Sequence, residues 1–169
     1  MVPGFRFQLF YVLVVLKLDT REILHVNVTE HPTAEWTAQQ LVEAFPGDKE
    51  TPRFLIRDRD GIYGETFQRT LEAVGIEQVV TGPRMPRMNA YVERVIGTLR
   101  RECTDHIIPL GDRHLLQTLR EYVAYYNEAR PHESLQGNSP LPRRVDAADR
   151  DIVATPVLGG LHHTYRQAA

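Results

Sequence analysis

Residues 54–64 read FLIRDRDGIYG: Phe54, Leu55 and Ile56 run into Arg57, then into Asp58 and Asp60, before Gly61 and Gly64 loosen the chain. Three consecutive apolar residues ahead of such a turn predict a short buried strand over residues 53–57. Phe67, Leu71 and Val74 then recur at helical spacing, and Gly75 stands where helices commonly end, so residues 65–74 predict a helix. The unit is strand, loop, helix, with an acid at the carboxyl end of the strand. In open α/β sheets, sites form outside the carboxyl ends of strands, so Asp58 is well placed for chemistry; it is equally at home as a turn or capping residue.

Working outward from that unit, residues 5–18 are rich in Val, Leu, Phe and Tyr without a helical period, which predicts a strand buried on both faces. Asp19, Thr20, Arg21 and Glu22 form a polar turn, and residues 23–29 complete a hairpin. Pro32 and Thr33 open a helix, with Thr33 as its cap, and Trp36, Leu41, Val42 and Phe45 mark one apolar side, until Pro46, Gly47 and Asp48 stop it. Downstream, residues 76–80 predict a strand. Residues 82–88, with Pro83 and Pro86, predict an irregular loop. A long helix is expected from Asn89 to about His106 and a second from about Arg113 to Asn127. Pro131, Pro140 and Pro142 mark an irregular exit, and the last thirty residues carry no clear period beyond a turn at residues 158–161. An opening hairpin followed by alternating strands and helices predicts an α/β fold whose sheet mixes strand directions, with flanking helices.

The 169 residues suit one domain, and apolar and charged fractions of 42% and 25% are those of a globular protein. The division expected is a core over residues 1–142 and an irregular C-terminal tail over residues 143–169. A single cysteine, Cys103, excludes an internal disulfide framework, and no Cys/His spacing suggests structural zinc. The apolar run at residues 9–16 is too short to span a bilayer and lacks the flanks of a signal peptide, so a cytoplasmic protein without membrane contact is expected. Net charge is −2, but residues 82–101 hold Arg84, Arg87, Arg94, Arg100 and Arg101 against one acid, Glu93. That basic run is either a solvated face or a surface for a polyanion.

Glu93 lies early on the long helix beside Val92, Val95 and Ile96, where a carboxylate also favours the helix dipole. An acid at a strand end, an Arg/Pro loop and an acid on a basic helix together suggest two carboxylates that converge on a hard cation. The segment from Asp58 to Tyr63 resembles the one that carries the second acid of DDE transposases and retroviral-type integrases. Asn89, Ala90, Tyr91, Val92, Glu93 and Arg94 resemble the one that carries the third, and the 34 residues between Asp58 and Glu93 approach that family's usual spacing. Tyr126, Asn127, Arg130, Pro131 and His132, with Leu135 and Pro140, are similar to a signature of bacterial insertion-sequence transposases.

The resemblance, which runs over most of the chain, implies a ribonuclease H-like fold. It implies Asp58 and Glu93 as catalytic ligands of Mg²⁺ or Mn²⁺, and DNA cleavage and strand transfer joining element ends to target DNA. It also implies a homo-oligomer, with DNA bound by the five arginines. One departure stands out. The family's first acid lies on a central strand ahead of the hairpin, whereas no acid here precedes Asp19, which sits in the hairpin turn. The expectation is therefore a core lacking its first strand and first acid, through a misplaced start or a decayed gene. The alternative function is an inactive remnant that binds DNA or an intact transposase. His132 is read as either a DNA contact or a residue fixing a helix end, and His162 and His163 as a tail turn or a metal pair.

Overall fold

A run of β-branched and large apolar residues with a four-residue polar break has little choice but to fold back on itself. The computed structural model describes residues 1–47, 51–82, 86–141 and 151–168, and the backbone alone for residues 86–89. In it, β2 (Leu9–Leu16) and β3 (Ile23–Thr29) form an antiparallel hairpin in the register Tyr11 to Thr29, with a bulge between Val15 and Leu16. The opening strand is shorter than residues 5–18. Gly4 turns the chain first, its carbonyl accepting from the Phe7 amide, and it lies so close to the Phe10 ring that a Cβ at position 4 would come within 2.6 Å. Ahead of that turn a two-residue strand, β1 (Val2–Pro3), pairs antiparallel with Leu9 and Phe10 on the edge of β2 away from β3.

Helix α1 (Ala34–Ala44) begins as the sequence predicts, with the Thr33 hydroxyl accepting from the Trp36 amide at 3.2 Å. It buries Thr37, Ala38, Gln40, Leu41 and Ala44, while Val42 faces solvent and Trp36 is half-buried. Strand β4 (Phe54–Arg57), helix α2 (Glu65–Ala73) and strand β5 (Glu77–Val80) form the expected strand–helix–strand unit. Its two strands are parallel, and Gly75 takes a positive φ of 73° after the helix. The predicted Arg/Pro loop is shorter than residues 82–88, because α3 (Pro86–Glu102) starts on Pro86. A proline in the first helical turn loses no hydrogen bond, so its ring does not bar the helix there. Residues 83–85, Arg84 included, and the Arg87 side chain lie outside the described structure. Helix α3 also ends before His106, at Glu102, and a short 3₁₀ turn leads to α4 (Asp112–Glu128).

The β2–β3 hairpin is covered on both faces. Val12, Val14 and Leu16 of β2, with Phe10, Ile23, Val26 and Val28, pack against Val95 and Leu99 of α3 and Leu115, Leu119, Tyr122 and Tyr126 of α4. Val15 and Leu24 point the other way, into a second core with Leu41, Phe45, Phe67, Leu71 and Ile76. The prediction of a strand covered on both sides holds in its pattern, though only Phe10 of β2 is fully enclosed. Among the described residues no backbone pairing joins β1–β2–β3 to β4–β5. Among the described residues, one edge of β2 beyond Phe10 lacks a partner strand, and so does the edge of β4 away from β5. The tail is not irregular throughout: β6 (Ile152–Val157) and β7 (His162–Gln167) pair as an antiparallel hairpin, turning at residues 158–161 as expected. Its strands mix apolar, polar and proline residues on both faces, so no period-2 pattern shows in the sequence.

One buried side chain ties the helical layer to the sheet. The Asn127 amide, at the end of α4, accepts from the Ile23 amide at 2.9 Å and donates to the Ile23 carbonyl at 2.9 Å, both in the interior. The Asn127 carbonyl then receives the Leu141 amide at 2.7 Å, which brings the exit segment back over the helix. Truncating Asn127 to Ala leaves a buried donor and a buried acceptor unsatisfied. We expect urea unfolding to show a loss of about 2–4 kcal/mol, against less than about 0.5 kcal/mol for the exposed Val42→Ala.

Candidate metal centre and its supporting network

Asp58 follows β4 directly, and its Oδ1 accepts the Asp60 amide at 3.1 Å. Asp60 in turn accepts the Ile62 amide at 3.1 Å, so each carboxylate uses one oxygen to shape its turn. Sequence reasoning missed what holds this loop. Arg57, buried and at the last position of β4, grips the Gln78 side chain through Nε at 3.1 Å and Nη2 at 2.7 Å. Its Nη1 donates to the Asp58 carbonyl at 2.9 Å. The same guanidinium lies 5.3 Å from the centre of the Tyr63 ring, and Tyr63 packs on Phe67 at 5.0 Å. Burial, then the nearby charges of Asp58 and Asp60, push the Tyr63 hydroxyl up to about 12. The aromatic residue of the motif is thus a wedge that anchors the acid-bearing loop to α2.

Helix α3 touches β4. Glu93 is exposed on α3 and, among the described residues, has no hydrogen-bond or ion-pair partner. Two exposed carboxylates with uncommitted oxygens suit Mg²⁺ in kind, since that ion keeps much of its water and needs one or two carboxylates. In number the set is small: among the described residues no three His, Cys, Asp or Glu side chains gather as metal ligands. At about 100° per residue, Arg100 shares the flank of Glu93, and Arg101 and Arg94 lie progressively further round α3. His162 and His163 do not form a metal pair. The His162 Nε2 lies 2.7 Å from the Glu102 carbonyl and its ring stacks on Tyr125, while His163 sits opposite Pro156 in β7. Cys103 is buried, and burial followed by the charge of Glu121 pushes its thiol up to about 11, which leaves it unreactive.

The signature residues form one connected support. Arg130 donates to both oxygens of Glu102, from Nη2 at 2.6 Å and Nε at 2.7 Å, and the Tyr122 hydroxyl adds a third bond at 2.7 Å. This network fastens the last residue of α3 to the end of α4, just as Asn127 fastens α4 to β3. His132 stands edge-on to Tyr126 at 4.6 Å, and its backbone amide and carbonyl close the turn at residues 132–138. Both readings of His132 therefore stay open: it fixes the helix end, and it also lines a cleft described below.

Burial alone would raise the Glu102 carboxyl, but the bonds from Arg130 and Tyr122 outweigh it and hold the group below its usual 4.5. A carboxyl depressed by folding adds stability that is complete above its ordinary value and is lost as pH falls through the folded one. In melts from about pH 6 to about pH 3, Glu102→Gln should be less stable than the native chain at the upper end, and the two curves should converge in acid. Parallel curves would mean that the pair contributes nothing.

Three comparisons bear on this arrangement. Residues 74–140 match the family model described as "Integrase core domain". Over 139 residues the chain is 29% identical to the "Putative transposase InsK for insertion sequence element IS150" of Escherichia coli (strain K12), a match covering 79% of this chain. The match spans 48% of that protein, about half its length. Among solved structures, the catalytic core domain of BIV integrase superposes with a TM-score of 0.58 at 16% identity, over 76% of this chain and 81% of that one. The HTLV-2 integrase catalytic core domain in complex with magnesium, in a trimeric form, gives 0.64 at 12% identity, over 83% and 88%. These likenesses show the ribonuclease H-like integrase-core fold. With the core-domain match and the transposase likeness beside them, the chain is similar to the DDE transposase and integrase catalytic cores.

Proposed function

We propose that this chain serves DNA integration or transposition, as a catalytic core that cuts and joins phosphodiesters with a divalent metal ion. The observation that carries the reading is the pair of uncommitted acids: Asp58 at the end of β4 and Glu93 on the helix packed beside that strand. Asp58 and Glu93 would hold Mg²⁺ or Mn²⁺, with Asp60 in reserve. Bound divalent ions supply charge stabilisation at the attacking and leaving oxygens of an in-line displacement.

The chain's own part is positioning. Arg57 and Tyr63 fix the Asp58 loop, and the Glu102–Arg130 pair fixes the far end of α3. Arg94, Arg100 and Arg101, with Arg84 and Arg87 ahead of them, would hold the DNA backbone of element ends and target without regard to sequence. The setting is the nucleoid in the cytoplasm, and a homo-oligomer would bring two ends together. Among the described residues no helix is long and apolar enough to cross a membrane.

A second reading has a specific observation in its favour. Because no third metal-ligating side chain gathers with the two acids among the described residues, the chain would bind DNA, or pair with an intact transposase, without cutting. Nicking of supercoiled plasmid in Mn²⁺ separates the two. Metal-dependent nicking that drops about 100-fold or more in Asp58→Asn and Glu93→Gln supports the enzyme. Binding that is equal in EDTA, with no nicking, supports the second reading.

A further inference from the structure

The face of α3 turned away from Glu93 borders a cleft of about 440 Å³. Tyr91, Arg94, Val95 and Thr98 line it at positions i, i+3, i+4 and i+7, and at about 100° per residue their shared face lies some 150° round the helix from Glu93. Arg21, from the β2–β3 turn, and Arg130 and His132, from the end of α4, close the other sides, with Glu133 as the one acid in the lining. Arg21 stacks on Tyr91 with its guanidinium carbon 3.7 Å from the ring centre. Among the described residues neither Arg21 nor Arg94 has a carboxylate partner, while Arg130 is held by Glu102.

A further observation points to a ligand. His132 is only 9% exposed and lines this cleft, yet among the described residues its buried Nε2 has no hydrogen-bond partner. The ring is fixed against Tyr126, whose backbone carbonyl engages the other ring nitrogen. A protein rarely leaves such an atom unsatisfied unless something else supplies the partner.

We propose that this cleft is a second DNA-binding site, which takes a backbone phosphodiester between Arg21, Arg94 and His132 on the flank of α3 opposite the metal-binding acids. This inference rests on the DNA reading above. A phosphodiester brings one negative charge and two free oxygens, which match guanidinium forks, and protonated His132 can donate from Nε2. An adjacent base would find the half-exposed Tyr91 ring on the face that Arg21 leaves open. The groups facing His132 are Arg130, Tyr126 and Glu102 from the α3–α4 junction, Glu133 beside it, Arg94 from α3 and Arg21 from the hairpin turn. Burial, then Arg130, holds the empty imidazole below its usual value; a bound phosphate opposes both effects, so binding takes up a proton.

The test is fluorescence anisotropy of a labelled duplex with the full chain in EDTA, across salt and pH. Arg21→Ala and Arg94→Gln, separately, should each weaken binding about fivefold to tenfold, and together lower the salt slope by about 2. The exposed Arg113→Ala should leave binding unchanged. Native binding should tighten as pH falls, and His132→Gln, which keeps a donor but cannot charge, should flatten that dependence. Circular dichroism confirms folding of each variant, and Arg94→Gln, at an exposed position without a carboxylate partner among the described residues, keeps the test valid if Arg21→Ala fails to fold. If Arg100→Ala/Arg101→Ala weakens binding while the cleft variants bind like the native chain, the cleft proposal falls and the DNA reading stands. If the native chain binds no DNA, both fall. If poly-glutamate displaces the duplex as well as unlabelled DNA does, the cleft is a site for acidic protein segments and the proposal is overturned.

Discussion

The end of helix α4 is where this molecule is held together. The Asn127 side-chain amide satisfies both backbone polar groups of Ile23 inside the core. Three residues later, Arg130 closes on Glu102 at the end of α3. Each contact alone is an ordinary hydrogen bond or ion pair. Placed within one helical turn of each other, they fix α4 to the sheet and α3 to α4. The helix that carries Glu93 is then set against β4, whose end carries Asp58. Buried polar contacts of this sort define one arrangement because leaving either partner unsatisfied is costly.

This gives the transposase-like signature a physical reading. Tyr126 supplies core packing and the platform for His132, Asn127 and Arg130 make the two ties, and Pro131 precedes the turn that carries the chain back to Asn127. The signature is remote in sequence from both acids, and its effect on them runs through the helix it anchors.

Much of the fold was legible because local signals and tertiary packing agree. The polar turn at residues 19–22, the Thr33 cap and the Gly75 stop each act within a few residues, so each could be read directly. Disagreements arose where meaning depends on distant partners. Pro86 looks like a loop residue until it is seen in a first helical turn. The strands at residues 152–157 and 162–167 are stabilised by each other rather than by a buried face, so neither announces itself. At the candidate site, spacing singled out the two acids, but the side chains that support their loop and helix could not be read from the sequence. Arg57 reads as the polar end of a strand, Arg21 as a turn residue and Glu102 as one more charge on a basic helix. Their roles appear only when Gln78, Tyr91 and Arg130 come within reach.

The account depends most on Asp58 and Glu93 acting on one ion, and Mn²⁺ tests that without requiring turnover. Added stepwise to ¹⁵N-labelled chain, Mn²⁺ broadens the amide resonances nearest to where it binds. The account predicts that the amides of Asp58, Asp60 and Glu93 broaden together at the same low concentration, and that Glu93→Gln protects all three. Broadening at Asp58 that leaves Glu93 sharp, or that persists unchanged in Glu93→Gln, would contradict a shared site.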